Sequence, residues 1–377
     1  MSESEKRKIR VSFRKNRGAR PRRNDLTRAF DDDAADARGS ERLSGKGDLT
    51  RRRTLVATQA GEQAQREIDA DACIFGRVLW TSGANRSTVQ PDDGGVEIRC
   101  SVRRVLRTMS RDARNLIVAG DRVLVRRTGP DAGVIERVEP RSSAIARTAG
   151  RQAHVLTANI EQAIIVVSAD DPPLKLGVVD RFLVGAEKGG VQGVVCINKA
   201  DLVSPILLQP IAGQYARIGY DVVLASARQG LGIETLRRRL RGRQSVIAGQ
   251  SGVGKSSLLN AVQPGLDRRT GDITEETRKG THTTRVAELI RLDFGGWVVD
   301  TPGFRKLEIW NVQTSELEGL FREFRPFVPG CRFQDCTHSH EGECAVQGAV
   351  DRGDISPLRY ESYLRMLQNE RYGLDRD

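Results

Sequence analysis

Up to about residue 68 the apolar residues follow no period, and blocks such as RKNRGARPRR and DDDAADAR predict a disordered extension. Between Cys73 and about Arg147 the rhythm changes to short strand-like runs, IFGRVLW, GVEIRCSV, DRVLVRR and GVIERV, broken by Gly, Asp and Pro. About five strands in this length predict a small all-β barrel of the OB type, a fold that commonly binds nucleic acid; an SH3-like barrel would read almost the same. From about Ala158 strands and helices alternate: AIIVVSA, VVDRFLVGAEKGG, VQGVVCIN, SPILLQPIAGQYARIG, DVVLASA, GIETLRRRLRG and SVIAG. That alternation predicts a parallel sheet that binds ligands at the carboxyl ends of its strands.

A chain of 377 residues exceeds what one hydrophobic core usually organises, so about two or three domains are expected. Its longest apolar runs, such as Ala163 to Val167, are far too short to cross a bilayer, and the charged start MSESEKRKIR is no secretory signal. A cytoplasmic protein without a membrane partner is expected. The net charge of +12 suggests a polyanionic partner, but its distribution matters more. Residues 1–53 hold 17 Lys and Arg against 9 Asp and Glu, or +8, which leaves +4 for everything downstream. Such a tail is either a solvated extension with no specific ligand or a nucleic-acid contact.

Candidate chemistry falls at the ends of the predicted strands. Gly249-Gln250-Ser251-Gly252-Val253-Gly254-Lys255-Ser256, followed by Ser257, matches G-x-x-x-x-G-K-[ST] between the strand SVIAG and the helix SSLLNAV. Glycines let the backbone wrap phosphate oxygens, Lys255 is expected to reach the β- and γ-phosphates, and Ser256 offers a hydroxyl to Mg²⁺. Taken alone, such a Gly-rich segment can also be an ordinary turn. Asn198-Lys199-Ala200-Asp201 ends the strand VQGVVCIN. The Asp201 carboxylate can accept from both N1–H and the N2 amine of guanine, whereas adenine would leave it unpaired. Asn198 would tie the loops together and touch the base, and the Lys199 stem could cover its face. Ser226 and Ala227 end the strand DVVLASA, where a backbone N–H would meet the guanine carbonyl. Asp300-Thr-Pro-Gly303 has the D-x-x-G form, with Asp300 near Mg²⁺ through water and the Gly303 N–H on the γ-phosphate. Upstream, Lys279 to Thr284 reads as a switch loop in which Thr283 or Thr284 completes the Mg²⁺ shell.

In this chain both base loops precede the phosphate loop, whereas ordinary G domains begin with it. Joining the usual termini and cutting between the second switch and the base loop preserves every contact, provided the termini lie close. With that order, the sequence resembles the circularly permuted GTPases called ribosome small-subunit-dependent GTPase A. The resemblance spans about residues 70 to 365. It rests on GDRV at Gly120 to Val123, ANIEQ at Ala158 to Gln162, NKAD, GQSGVGKSS, G-x-H-T-T at Gly280 to Thr284, DTPG and a C-terminal cysteine cluster. It implies an OB barrel, a permuted G domain and a zinc-binding helical domain acting on the 30S ribosomal subunit late in its maturation. The chain departs from the pattern in its long basic N-terminal extension and in Arg285, where another hydroxyl residue is expected. The expected division is a disordered basic tail over 1–68, an OB-type barrel over 69–147, a circularly permuted α/β P-loop GTPase domain over 148–310 and an α-helical zinc-binding domain over 311–377.

Of six cysteines, Cys73, Cys100 and Cys196 sit singly in strand-like runs as small buried hydrophobes. Cys331-x₄-Cys336-x-His338-x₅-Cys344 supplies three thiolates and one imidazole, a tetrahedral set for one structural Zn²⁺ with no open position. On spacing alone His340 competes with His338; the family pattern carries over to His338. The following LRYESYLRMLQNERYG has helical spacing and is expected to pack on the zinc knot or on a partner. Many GTPases position the attacking water with a glutamine after the D-x-x-G glycine, but here that residue is Phe304. An apolar side chain cannot orient water, so slow intrinsic hydrolysis is expected, with His282 on the switch loop as the candidate group or else a loop histidine that packs structurally. The reading is a monomeric GTPase, cycling between GTP and GDP with Mg²⁺, that contacts 30S rRNA and is stimulated by the subunit. Its rivals are an RNA-binding assembly scaffold that uses GTP only as a conformational ligand, and a P-loop kinase or ATPase, against which Asn198 to Asp201 argues.

Overall fold

A computed structural model describes residues 6–12, 52–60, 63–66, 72–82, 86–103, 106, 116–149, 152–266, 287–300, 312 and 314–372. Within the N-terminal extension, where no fold is expected, β1 (Lys6–Ser12), β2 (Arg52–Ala60) and β3 (Gln63–Arg66) pair as an antiparallel three-stranded sheet. In sequence β1 alternates Ile9 and Val11 with basic residues, a period-2 signal too short to stand out among the charges.

The next five strands are β4 (Ile74–Ser82), β5 (Arg86–Pro91), β6 (Ile98–Val102), β7 (Arg122–Arg127) and β8 (Ala132–Val138). They close into a barrel in the order β4-β5-β6-β8-β7, with β7 returning to β4. The third and fifth strands, β6 and β8, run parallel and the other pairs antiparallel. This Greek-key closure is that of an OB-type barrel and decides between the two barrels that the strand count left open. Alternation puts Val78, Val89, Ile98, Cys100, Val123, Val125 and Ile135 in its core.

A hairpin of β9 (Ala144–Ala149) and β10 (Gln152–Ala158) follows, and the boundary expected at 147/148 falls inside it. The α/β region then runs β11 (Gln162–Ser168), α1 (Leu176–Lys188), β12 (Gln192–Asn198), α2 (Pro205–Arg217), β13 (Asp221–Leu224), α3 (Ile233–Leu240), β14 (Gln244–Ala248), α4 (Lys255–Val262), β15 (Glu288–Arg291) and β16 (Trp297–Asp300). The sheet order is β13-β12-β11-β14-β16-β15, parallel except for the edge strand β15.

Strands such as β11 and β14 are buried along their whole length, which is why they read as unbroken apolar runs. Ile164, Val166, Val194 and Cys196 face α3 and α4 on one side, while Ile165, Val167, Val195 and Ile197 face α1 and α2 on the other. Leu79 of β4 and Ile145 of β9 pack with Ala163, Val246, Leu289 and Val299, so barrel and hairpin cover the opposite end of the sheet from the motif loops. The C-terminal unit consists of α5 (Thr314–Leu320), α6 (Ala345–Asp351) and α7 (Pro357–Tyr372) around Phe321, Phe324, Tyr363 and a Cys/His cluster. Among the described residues no helix is long and apolar enough to cross a membrane.

Candidate nucleotide site and metal centre

The chain visits β11, β12 and β13 outward in one direction, then returns to lay β14 against the other side of β11. The order therefore reverses between β11 and β14, and the crevice at their carboxyl ends is where an open α/β sheet binds its ligand. Gly249 follows β14 directly there, and α4 begins at Lys255, so the orphan amides of its first turn open on the loop. Two glycines are required by the space they leave. A Cβ on Gly249 would stand 2.2 Å from the Val166 carbonyl oxygen, and one on Gly254, at φ +89°, would stand 2.4 Å from Asn198 Nδ2. Val253 is buried under the loop, whereas Gln250, Ser251, Gly252, Ser256 and Ser257 are exposed along it. Lys255 Nζ donates to the carbonyls of Gly249 (2.9 Å) and Gln250 (2.6 Å), which places its ammonium across the loop.

Asn198, at the end of β12 and 1% exposed, joins three loops. Its Nδ2 donates to the Val253 carbonyl at 2.8 Å, and its Oδ1 accepts from the Ala227 N–H at 3.3 Å. The base loop is further anchored by Ala200 N–H donating to the Ala225 carbonyl at 3.0 Å. Ser226 Oγ accepts from Gln229 N–H at 3.1 Å, which spends that hydroxyl on shaping its own turn. Lys199 is left-handed at φ +57°, and its ammonium donates to the Asp171 carbonyl in the loop after β11, where Ser168 Oγ also donates at 2.8 Å. Asp201 follows in a short 3₁₀ turn, half-buried. Asp300 closes β16 on the same edge as Asn198 and Gly249. The switch residues His282, Thr283 and Thr284, together with Gly303 and Phe304, lie outside the described residues.

In the C-terminal unit the side-chain donors of Cys331, Cys336, His338 and Cys344 all lie within 4.8 Å of one another. His338 Nδ1 is 3.5 Å from Cys331 Sγ and 3.4 Å from Cys344 Sγ, and the two sulfurs are 3.9 Å apart. A tetrahedral Zn²⁺ with about 2.3 Å to sulfur and about 2.0 Å to nitrogen spaces its ligand atoms about 3.5–3.8 Å apart, so this donor set fits the ion. The other imidazole nitrogen, His338 Nε2, lies 2.7 Å from Glu318 Oε2 on α5. That carboxylate fixes the tautomer that turns the Nδ1 lone pair inward. His340, by contrast, is 74% exposed and bonded to Ser339 Oγ.

Helix α7 braces the knot from outside: Tyr360 and Tyr363 hydroxyls donate to the carbonyls of His338 (2.6 Å) and Thr337 (2.9 Å). Burial pushes the Cys336 thiol up to about 12, so holding a cation there means displacing a firmly bound proton. The Glu341 carboxylate, accepting from Thr337, Ser339 and His340, ties the loop into a turn.

Residues 138–310 match the family model described as RsgA GTPase. A small ribosomal subunit biogenesis GTPase RsgA from Thermotoga neapolitana is 40% identical over 287 residues, covering 75% of this chain and 92% of the relative. The chain belongs to the RsgA GTPase family. The protein of the same name from Moorella thermoacetica is 43% identical over 265 residues, 70% of this chain and 88% of its own. Among solved structures, YjeQ from Thermotoga maritima superimposes with a TM-score of 0.66 at 36% identity, covering 81% of this chain and all of that one. YloQ, described as a circularly permuted GTPase, gives 0.64 at 29% identity, covering 83% and all of it. As a member of this family the protein is a GTP hydrolase, and its permuted motif order is the one the sheet topology displays.

Sequence reasoning named the contiguous motif residues and missed the groups that reach them from elsewhere. Glu318 meets His338 across 20 residues, and the Asp171 backbone carbonyl, with its carboxylate 3.8 Å off, meets Lys199 across 28. Neither has a local signature, because an isolated carboxylate in a polar stretch reads as solvated surface.

Proposed function

We propose that the protein binds the small ribosomal subunit, assists its late maturation and is stimulated by it to hydrolyse GTP. The observation that carries this reading is the convergence of the base loop, second base loop and phosphate loop on Asn198, in a chain 40% identical to a small ribosomal subunit biogenesis GTPase over most of both lengths. In this proposal Asp201 accepts from guanine N1–H and N2, Lys199 covers the base, and Ala227 N–H meets the carbonyl after the Ser226 turn. The backbone from Gly249 to Gly254 and the first turn of α4 cradle the phosphates, and Lys255 lies on the β- and γ-phosphates. Mg²⁺ is held by Ser256 and by Thr283 or Thr284, with Asp300 through water; it supplies charge neutralisation on the phosphates. Gly303 N–H meets the γ-phosphate. His282 takes the place that Phe304 leaves vacant in orienting water.

Cys331, Cys336, His338 and Cys344 hold one structural Zn²⁺, which fixes the knot without taking part in chemistry. The barrel, the basic extension and the zinc-bearing unit contact rRNA, and the protein acts as a cytoplasmic monomer. The experiment is GTP turnover measured alone and with 30S, 50S and 70S particles. Stimulation by 30S beyond that by 50S supports the proposal. Equal turnover under all conditions would leave only a scaffold that uses GTP as a conformational ligand.

A further inference from the structure

Arg359 is the largest fully buried side chain of the described residues, and it belongs to neither the nucleotide site nor the metal centre. It projects from α7, at 0% side-chain exposure, into a joint between the C-terminal unit and the sheet. Its Nη1 donates to Asp180 Oδ1 on α1 at 2.6 Å, while Nε and Nη2 donate to the Glu323 carboxylate at 2.6 and 3.1 Å. The guanidinium plane lies over the Phe321 ring, 4.6 Å from its centroid, and Tyr215 of α2 donates its hydroxyl to the same Asp180 oxygen at 2.7 Å. Burial alone would lower the arginine pKa; Asp180 and Glu323 outweigh it and hold the charge. One cation thus serves two buried carboxylates, and Asp180 Oδ2 is buried with no partner at all. Remove the guanidinium and the buried Asp180 carboxylate is left facing Glu323, which borders the neighbouring cavity, with no cation between them.

Other polar links run along the same seam. Glu187 at the end of α1 accepts from Arg322 Nε at 2.6 Å and Arg325 Nη2 at 2.7 Å, and Arg322 stacks on Tyr220 at 4.3 Å. Lys188 pairs with Glu316 of α5, and Arg217 of α2 donates to the carbonyls of Gly353 and Asp354 at 3.1 and 3.3 Å. Each of these links lands on α1, α2 or the turn after α2, the elements that flank β12 and its base loop. Helix α1 also packs along α7 and α5, with Val184 entering the C-terminal core, and a cavity of about 590 Å³ lies beside the seam, lined by α2, Glu323, Pro326, Ile355 and Ser356.

We infer that Arg359 is a coupling residue that locks the metal-bearing unit to the base-reading half of the nucleotide domain, so that a partner held by that unit acts on GTP turnover through this seam. Residues 301–313 join β16 to α5, so the D-x-x-G segment spans from the phosphate half of the sheet to a unit anchored on the other half. A force on the unit is then felt as a displacement of one half of the site against the other, and an unlocked unit transmits none. The subunit is the partner on the reading given above, and on that point this inference rests on it.

The test compares wild type with Arg359→Met and with the milder, charge-removing change Glu187→Gln, on the full-length protein. Three quantities are read: GTP affinity and turnover of the free protein, turnover with saturating 30S particles, and hydrogen exchange of α5 to α7. Affinity and free turnover should stay within about twofold of wild type, while stimulated turnover falls about tenfold or more in Arg359→Met and less in Glu187→Gln, as expected when a coupling free energy is removed. Exchange in α5 to α7 should rise in both variants with α3 and α4 unchanged. Full stimulation in both variants, with wild type stimulated, overturns the inference, and Glu187→Gln alone decides if Arg359→Met fails to fold. Wild type that 30S does not stimulate would sink the functional reading instead. The lock is then judged by exchange alone: unaltered protection of α5 to α7 refutes it, and loss confined to them supports it.

Discussion

The Asp201 carboxylate is the only group in the proposed base loop that can accept from two guanine donors at once, because Asn198 already spends both ends of its amide on Val253 and Ala227. Asp201→Asn should therefore weaken GTP by about 10- to 100-fold, the cost of a mismatched buried polar contact, and improve xanthosine triphosphate, whose C2 carbonyl needs a donor. Fluorescence titration with both nucleotides checks this, and unchanged GTP affinity would remove Asp201 from the base site. Glu318 offers a second residue-level test. With its carboxylate 2.7 Å from His338 Nε2, Glu318→Ala should release the imidazole's orientation and cost about 10- to 100-fold in Zn²⁺ affinity, read by competition with a chelator. Affinity equal to wild type would make Glu318 a bystander. The two residues also show what a sequence exposes. Asp201 stands out as a candidate because Asn198 and Lys199 precede it in one contiguous N-K-x-D segment. Glu318 does not, since its partner arrives from a loop 20 residues on, and only the fold brings them together.

At the scale of elements, the cysteine loop is organised from three sides. Glu318 of α5 holds the histidine, Cys344 caps α6 by accepting from Gln347 N–H at 3.5 Å, and the tyrosines of α7 hold the loop carbonyls. Cys336→Ala should therefore lose the metal and unfold the unit locally, whereas His340→Ala should keep the metal, both measured by bound zinc and helical circular dichroism. Metal loss in the second variant and not in His338→Ala would exchange the ligand roles. Because burial pushes the Cys336 thiol up to about 12 and keeps the Cys344 thiol above its usual range, each must release a proton when a metal binds. Zn²⁺ affinity should then rise with pH and fall as pH drops, and a flat profile from acid to neutral would contradict a thiolate site. The helices and parallel strands were legible as elements because their apolar periods run long enough to show. Two features were not. The β9–β10 hairpin carries its pattern across a segment where one rhythm hands over to the next, and β1 to β3 lie among so many charges that Ile9 and Val11 gave no visible period.

On the scale of the whole molecule, the permuted order was readable as soon as the motifs were placed, since it is a property of sequence. How the units are joined was not, because Arg359 meets Asp180 across 179 residues and each alone looks like surface charge. That joint bears on how turnover is controlled. Phe304 leaves no side chain after Gly303 to position water, so free protein should hydrolyse GTP slowly. A chain of net charge +12, with +8 of it in residues 1–53, should meet rRNA by displacing counterions from phosphates. Stimulation by 30S particles should consequently fall steeply as salt rises. Nucleotide affinity, which in the proposed site arises within one crevice at short range, should change much less over the same range. His282→Ala should spare GTP binding and lose most of the stimulated rate, if this imidazole is what docking brings to the γ-phosphate. Turnover and GTP affinity measured side by side from low to moderate salt separate these effects. Retention of full stimulation by His282→Ala would assign the water-positioning group to the subunit or to another residue, and salt-independent stimulation would remove the electrostatic account of docking.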